Sequence, residues 1–148
     1  MKKTNVNLKR KEVVIIGGGP TGLMAAHKLL TLGHKVRLYE SKPSVGRKFQ
    51  LAGRGGLNLT HSEDLSVFAT RYYENANYFS SLLDSFSPEN LQKFCNELGQ
   101  ETFVGSSGRV FPKKFKATEL LRAWITSLFK AGLELHTRHK WIGFNADG

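Results

Sequence analysis

An α/β fold organised around a parallel strand–helix–strand unit is predicted by three observations on this 148-residue sequence. Val13-Val14-Ile15-Ile16 is a short, apolar, β-branched run, the pattern of a strand buried on both faces. Gly17-Gly18-Gly19-Pro20-Thr21-Gly22 comes directly after it, and the Ala- and Leu-rich stretch from Leu23 to Leu32 then predicts a helix that Gly33 stops. Val36-Arg37-Leu38-Tyr39 is a second strand with Glu40 at its carboxyl end. Strand, G-x-G-x-x-G, helix, strand and acid in that order form a Rossmann-like dinucleotide-binding fingerprint in its required context.

Each part of the fingerprint has a physical task. Gly17 permits the tight turn out of the strand, Gly19 has no Cβ and lets a pyrophosphate approach the backbone, and Gly22 lets the helix lie close to the sheet. Pro20 suits the first helical turn because its missing N–H is not needed there, and Thr21 follows it in that turn. Free amides and the positive dipole end of the helix then face the phosphates. Glu40 is placed to accept hydrogen bonds from an adenosine ribose, and a carboxylate there favours FAD or NAD over the 2′-phosphate of NADP.

Ser41 to His61 is expected to be a long connection rich in glycine and cations. It holds Gly46-Arg47-Lys48 and then Gly53-Arg54-Gly55-Gly56-Leu57-Asn58-Leu59-Thr60. Long connections in compact domains are functional or disordered. Here glycine amides can form anion-binding nests, Arg47, Lys48 and Arg54 can neutralise phosphate, and Asn58 and Thr60 can hydrogen-bond a ring edge or ribityl chain.

Asp64 to Phe86 predicts one or two helices whose aromatics, Phe68, Tyr72, Tyr73, Tyr78 and Phe79, are assigned to the core. A short helix follows with Ser87 as N-cap, Pro88 at its first position, Glu89 in its first turn and Gly99 beyond its end. Thr102-Phe103-Val104 and Arg109-Val110-Phe111 flank Gly105-Ser106-Ser107-Gly108 as a β-hairpin. Thr118 is expected to cap a helix with the buried stripe Leu120, Leu121, Trp124, Ile125, Leu128 and Phe129, closed by Gly132. Leu133 to His136 alternates as a strand, and Trp141-Ile142-Gly143-Phe144 begins another, the start of a β-meander. Asn145-Ala146-Asp147-Gly148 then carries a hairpin signal with no returning strand, so the domain is expected to be incomplete.

Composition narrows the class. The sequence is 40% hydrophobic and 23% charged, as in ordinary globular proteins. A single cysteine, Cys95, excludes an internal disulfide and a Cys-based zinc cluster, and Leu91, Phe94 and Leu98 beside it mark a buried position. No metal site is expected. No stretch is long enough to span a membrane, and a reducing, cytoplasmic setting fits best. The net charge of +10 begins in a basic tail over residues 1–11. No nucleic-acid-binding motif accompanies it, so solvated surface and an anionic cofactor are the expected reasons for the charge.

The quoted motifs carry a resemblance. Val14 to Ala26 resembles the start of two-dinucleotide-binding flavoproteins. The segments Gly46-Arg47-Lys48-Phe49, Leu51 to His61, Gly108 to Lys113 and Leu120 to Trp124 together resemble the bacterial BaiN-like (YhiN-like) NAD(P)/FAD-dependent oxidoreductases, some described as aminoacetone oxidase-type flavoproteins. The similarity runs from about Glu12 to the last residue. Other members commonly have Cys-Asn where this chain has Leu57-Asn58.

The resemblance implies that Gly17, Gly19, Pro20, Thr21, Gly22 and Glu40 hold the ADP half of FAD. It implies that Gly46, Arg47, Lys48, Arg54, Gly55, Gly56 and Asn58 line the rest, and that Trp141 offers backbone contacts to the adenine. It also implies NAD(P)H as electron donor, and a partial FAD-binding domain over residues 12–148 without a substrate domain or C-terminal flavin-closing segment.

The leading expectation is therefore the FAD-binding portion of a flavin-dependent oxidoreductase. A non-catalytic remnant with weak or no cofactor binding is the alternative, and so is an NAD-binding module, because the first strand–helix–strand unit does not separate NAD from FAD. The Gly53–Thr60 segment favours FAD. None of the five histidines is placed as a catalytic group, and His61, nearest the glycine-rich segment, is expected to be structural or solvent-facing.

Overall fold

The computed structural model describes residues 10–53 and 55–145. In chain order the elements are β1 (Glu12–Ile16), α1 (Pro20–Thr31), β2 (Lys35–Glu40), α2 (Arg47–Ala52), β3 (Thr60–His61), α3 (Leu65–Thr70), a 3₁₀ turn (Tyr73–Asn75), α4 (Ala76–Ser85), α5 (Pro88–Glu97), β4 (Thr102–Val104), β5 (Arg109–Pro112), α6 (Ala117–Lys130) and β6 (Glu134–Thr137). They form two compact units, one of residues up to 49 with those from 125 onward, the other of residues 50–124.

The first unit is a Rossmann-like layer. Its sheet has the order β1-β2-β6 and is parallel throughout, with Val13 opposite Val36, Ile15 opposite Leu38 and Leu38 opposite Leu135. Val36 and Leu38 on β2, and Leu23 and Ala26 on α1, are fully buried. Gly33, at φ +83°, turns the chain out of α1, a conformation that costs a glycine little.

The apolar run of β1 predicted burial on both faces, and the structure corrects this: Val14 and Ile16 are each 53% exposed. Side chains alternate along a strand, so Val13 and Ile15 share the α1 face while Val14 and Ile16 point to the opposite one. β1 is an edge strand whose neighbour among the described residues is β2.

The second unit holds a small antiparallel sheet of order β3-β5-β4 with α3, α4 and α5. The hairpin forms as predicted, with Phe103 opposite Phe111 and Gly108 in the left-handed region at φ +77°. α5 begins with a capping box in which the Ser87 side chain accepts from the Asn90 amide and the Asn90 side chain accepts from the Ser87 amide. Its buried side includes Phe94 and Cys95, and Phe94 meets the Trp124 ring edge-on at 5.3 Å.

Other expectations are corrected. The Ser41–His61 connection is not one loop, since α2 and β3 form within it. Tyr73 and Tyr78 are exposed rather than core: α4 buries none of its residues, and Tyr72 and Phe79 stack on each other at 3.8 Å instead. α6 begins at Ala117, so Thr118 lies in its first turn and not at the cap. Phe129 is half exposed, one residue off the stripe that ends at buried Leu128.

Trp141 to Phe144 forms no strand, and Ile142 and Phe144 stand almost fully exposed. A strand needs a neighbour to take its amides and carbonyls, whatever its residue types. Residues 1–9 of the basic tail, Arg54 and the Asp147-Gly148 turn signal lie outside the described residues.

Candidate functional site

The site begins where β1 passes into α1. Gly17 has φ +101°, a backbone region open to glycine, and its amide donates to the Tyr39 carbonyl at 2.8 Å, tying the turn to β2. At Gly22 a Cβ would stand 2.0 Å from the Gly17 carbonyl oxygen and 3.4 Å from Ile15 Cγ2, so this glycine is what allows α1 to lie against β1. Gly19 differs from both, because a Cβ there would meet nothing within 4 Å. The side of Gly19 that faces outward is open to a ligand.

Gly19 is also the N-cap residue of α1, with extended backbone and no side-chain cap, and Pro20 is the first helical residue. The first intrahelical bond of this turn runs from the Leu23 amide to the Gly19 carbonyl at 3.0 Å. The Thr21 and Gly22 amides precede it and point out of the helix at its positive end, where a diphosphate is stabilised.

Glu40 ends β2 beside this turn. Its Oε2 accepts from the Gly18 amide at 2.8 Å, and its Oε1 accepts from the Lys42 amide at 2.8 Å and the Ser41 hydroxyl at 3.2 Å. Partial burial pushes the carboxyl up, but the donated bonds from Lys42, Gly18 and Ser41 outweigh it and hold the group below the ordinary carboxylate range. The acid is thus a fixed anion at the carboxyl end of the sheet, where open α/β folds bind ligands.

Gly46, at φ +67° and buried, donates its amide to the Gly18 carbonyl at 2.7 Å. Arg47 and Lys48, the first two residues of α2, are exposed. After β6 the chain returns to the acid: the Arg138 amide donates to the Lys42 carbonyl at 3.1 Å, and the His139 amide donates to the Glu40 carbonyl at 3.0 Å. Arg138 sits at φ +62°, an uncommon conformation for a residue with a Cβ.

Trp141 is half exposed. It lines a cleft of about 260 Å³ with Val14, Ile16, Tyr39, His139 and Lys140, on the sheet face away from Ile15 and α1. Tyr39 also stacks on His136 at 4.7 Å. The backbone amides that bond beside the acid belong to Arg138 and His139.

Gly55, Gly56 and Asn58 belong to the second unit. Their loop is tied down within that unit: Leu57 is buried, the Leu59 amide donates to the Val110 carbonyl at 2.8 Å, and a Cβ on Gly53 would meet that of Ala117 at 2.2 Å. Gly56 has φ +110°, Gly55 opens onto free space, and Asn58 is exposed. Arg54 lies outside the described residues.

His61 is structural. Its Nδ1 accepts from the Glu63 amide at 3.1 Å, which leaves Nε2 to donate to the Ser107 carbonyl at 2.9 Å. No group of metal-ligating side chains and no helix long and apolar enough to cross a membrane occurs among the described residues.

Sequence reasoning missed Gly18, Lys42, Val45, Arg138 and His139 as residues around the acid. The middle position of G-x-G-x-x-G is free in the fingerprint, and the backbone contacts of Lys42, Arg138 and His139 leave no mark in side-chain type.

Residues 11–148 match the HI0933-like protein Rossmann domain. The ribosomal RNA dihydrouridine synthase of Haemophilus influenzae is 38% identical over 101 residues, which cover 68% of this chain and 24% of that protein. A thiamine thiazole synthase of Methanosarcina acetivorans is 34% identical over 89 residues, 56% of this chain and 34% of the relative. The chain therefore spans about a third or less of the length of these two relatives. Among solved structures, THI4 of Thermovibrio ammonificans superposes with a TM-score of 0.52 at 22% identity, over 86% of this chain and 38% of that one, a likeness of fold.

Proposed function

The chain belongs to the HI0933-like Rossmann-domain family of FAD-dependent oxidoreductases, and from that membership we propose that it is the FAD-binding portion of such an enzyme. The ADP half of the cofactor rests on the turn formed by Gly17, Gly19, Pro20, Thr21 and Gly22, with Glu40 on the ribose. Gly46, Arg47 and Lys48, with Arg54, Gly55, Gly56 and Asn58, serve the remainder. FAD, when bound, supplies the redox chemistry, while this chain's residues bind and orient it.

One observation carries the assignment. Two of the three motif glycines answer to the protein's own backbone, Gly17 through its φ and Gly22 through the Gly17 carbonyl, whereas the missing Cβ of Gly19 answers to nothing in the protein. A ligand that needs the backbone bare is the physical reason for a glycine there. NAD(P)H as electron donor and a cytoplasmic setting belong to the same proposal.

The test is to purify the 148-residue chain and titrate it with FAD, following flavin fluorescence and the visible spectrum, with ADP as competitor. Stoichiometric uptake that ADP reverses supports the reading. A soluble, folded chain indifferent to both ligands refutes it, aggregate without colour favours the remnant, and uptake of NAD in preference to FAD favours the NAD module.

A second reading concerns the substrate. The relative from Haemophilus influenzae is named for action on ribosomal RNA, and this chain carries a net charge of +10. A uracil base in structured RNA is then the group that the whole enzyme reduces. Binding of a ribosomal RNA transcript whose affinity falls steeply with salt supports this, and equal indifference to RNA at low and high salt argues against it.

A further inference from the structure

We propose that Gly18 and Val45 are positioning residues that set the Glu40 carboxylate for the adenosine ribose; the inference rests on the dinucleotide reading above. Gly18 occupies the free middle position of the fingerprint, where the motif asks for no particular residue. The structure shows why a glycine stands there. A Cβ on Gly18 would lie 2.2 Å from Val45 Cγ1, 2.8 Å from Val45 Cβ and 3.3 Å from Glu40 Oε2.

Val45 is 4% exposed and is thus seated directly on the Gly18 backbone. The two backbone groups of Gly18 complete the junction. Its amide donates to Glu40 Oε2 at 2.8 Å and its carbonyl accepts from the Gly46 amide at 2.7 Å. The glycine turn, the end of β2 and the Ser41–Gly46 turn therefore meet at one residue. Val45 holds the Ser41–Gly46 turn down, and that turn supplies the Lys42 amide and Ser41 hydroxyl that hold the other carboxylate oxygen.

A carboxylate held from both oxygens cannot swing freely. Ligand hydroxyls then meet an anion already oriented, and binding avoids the entropy of ordering that side chain. The seat also explains the small residue opposite the valine: the close approach is possible only when one partner lacks a side chain.

The test measures ADP affinity by calorimetry on the 148-residue chain, with thermal melting alongside. Gly18→Ala places a methyl into Val45, and Val45→Gly leaves the turn unseated; each lowers ADP affinity about tenfold, the effect of losing one charge-assisted hydrogen bond. Combined, the methyl of the first enters space that the isopropyl group removed by the second has vacated, and the pair recovers to within about threefold of wild type.

Action through the acid is read from a second cycle. Glu40→Gln alone costs about tenfold, and adding Gly18→Ala to it costs little more, because the group being positioned has already gone. Losses that multiply in both cycles overturn the proposal, as do single variants that bind like wild type. Should a single variant fail to fold, the Gly18→Ala/Val45→Gly pair decides alone: near-wild-type affinity supports the seat, and tenfold loss overturns it. A wild-type chain that does not bind ADP overturns the dinucleotide reading itself, and the ribose role of the seat with it.

Discussion

Gly22→Ala separates a glycine that packs from one that admits a ligand. The new methyl would sit 2.0 Å from the Gly17 carbonyl oxygen, about 1.4 Å short of ordinary contact, and would also meet the Gly17 carbonyl carbon at 3.2 Å and Ile15 Cγ2 at 3.4 Å. Two of these three atoms are backbone, in a turn pinned by the Gly17–Tyr39 hydrogen bond, so a side-chain rotation does not relieve the clash. α1 must back away from β1, and that withdraws the fully buried Leu23 and Ala26 from their packing.

Overpacking costs about 1–3 kcal/mol, and the backbone contact places this case at the upper end, about 3 kcal/mol. Replacing a helical glycine by alanine returns at most about 1 kcal/mol. A net loss of about 2 kcal/mol lowers the melting temperature by roughly 4–8 °C for a chain of this size. The assay is thermal and urea unfolding followed by circular dichroism. Gly19→Ala is the control: its methyl meets nothing within 4 Å, so its cost should not exceed that of an alanine at a helix N-cap, about 1 kcal/mol. A Gly22→Ala chain that melts with wild type, or a Gly19→Ala chain that falls equally, would refute the packing argument.

Three further outcomes follow from the same geometry. Gly19→Val should abolish FAD and ADP binding while the melting temperature holds, because the space it fills belongs to the ligand; retained flavin in a titration would remove the pyrophosphate from that turn. Glu40 has a folded pKa below its ordinary value, so its contribution to stability is complete above about pH 4.3 and is lost as pH falls through the lower folded value. Glu40→Gln should flatten that acid limb in a pH series of urea midpoints, and an unchanged slope would assign it to other carboxylates. Burial pushes the Cys95 thiol up to about 11, and its side chain is fully enclosed, so alkylation at pH 8 should proceed only through unfolding. Rapid labelling of the folded chain would show that α5 opens locally.

How much of this was legible beforehand differs by element. The parallel unit was legible because its parts are local: a β-branched run, glycines at fixed spacing, an Ala/Leu helix and an acid at the end of the next strand declare themselves within Val13–Glu40. The capping box of α5 and the glycine hairpin between β4 and β5 were legible for the same reason, since cap and turn chemistry is settled within a few residues. The family could be recognised for a different reason, the wording of motifs such as Gly53 to His61, which no periodicity contains.

Tertiary structure decided the rest. Hydrophobicity marked Val14, Ile16, Tyr73 and Tyr78 as interior, yet a residue is buried only when a second layer arrives to cover it, and that is a property of the fold around it. Trp141 to Phe144 has strand-forming residues but no strand partner among the described residues. Glu40 was visible as an acid at the right distance, but its orientation rests on amides of Gly18 and Lys42, and the chain alongside it on amides of Arg138 and His139. Residue type thus determined which groups the chain brings to a nucleotide. Backbone hydrogen bonds between segments far apart in the sequence, which every residue but proline offers alike, determined where those groups point.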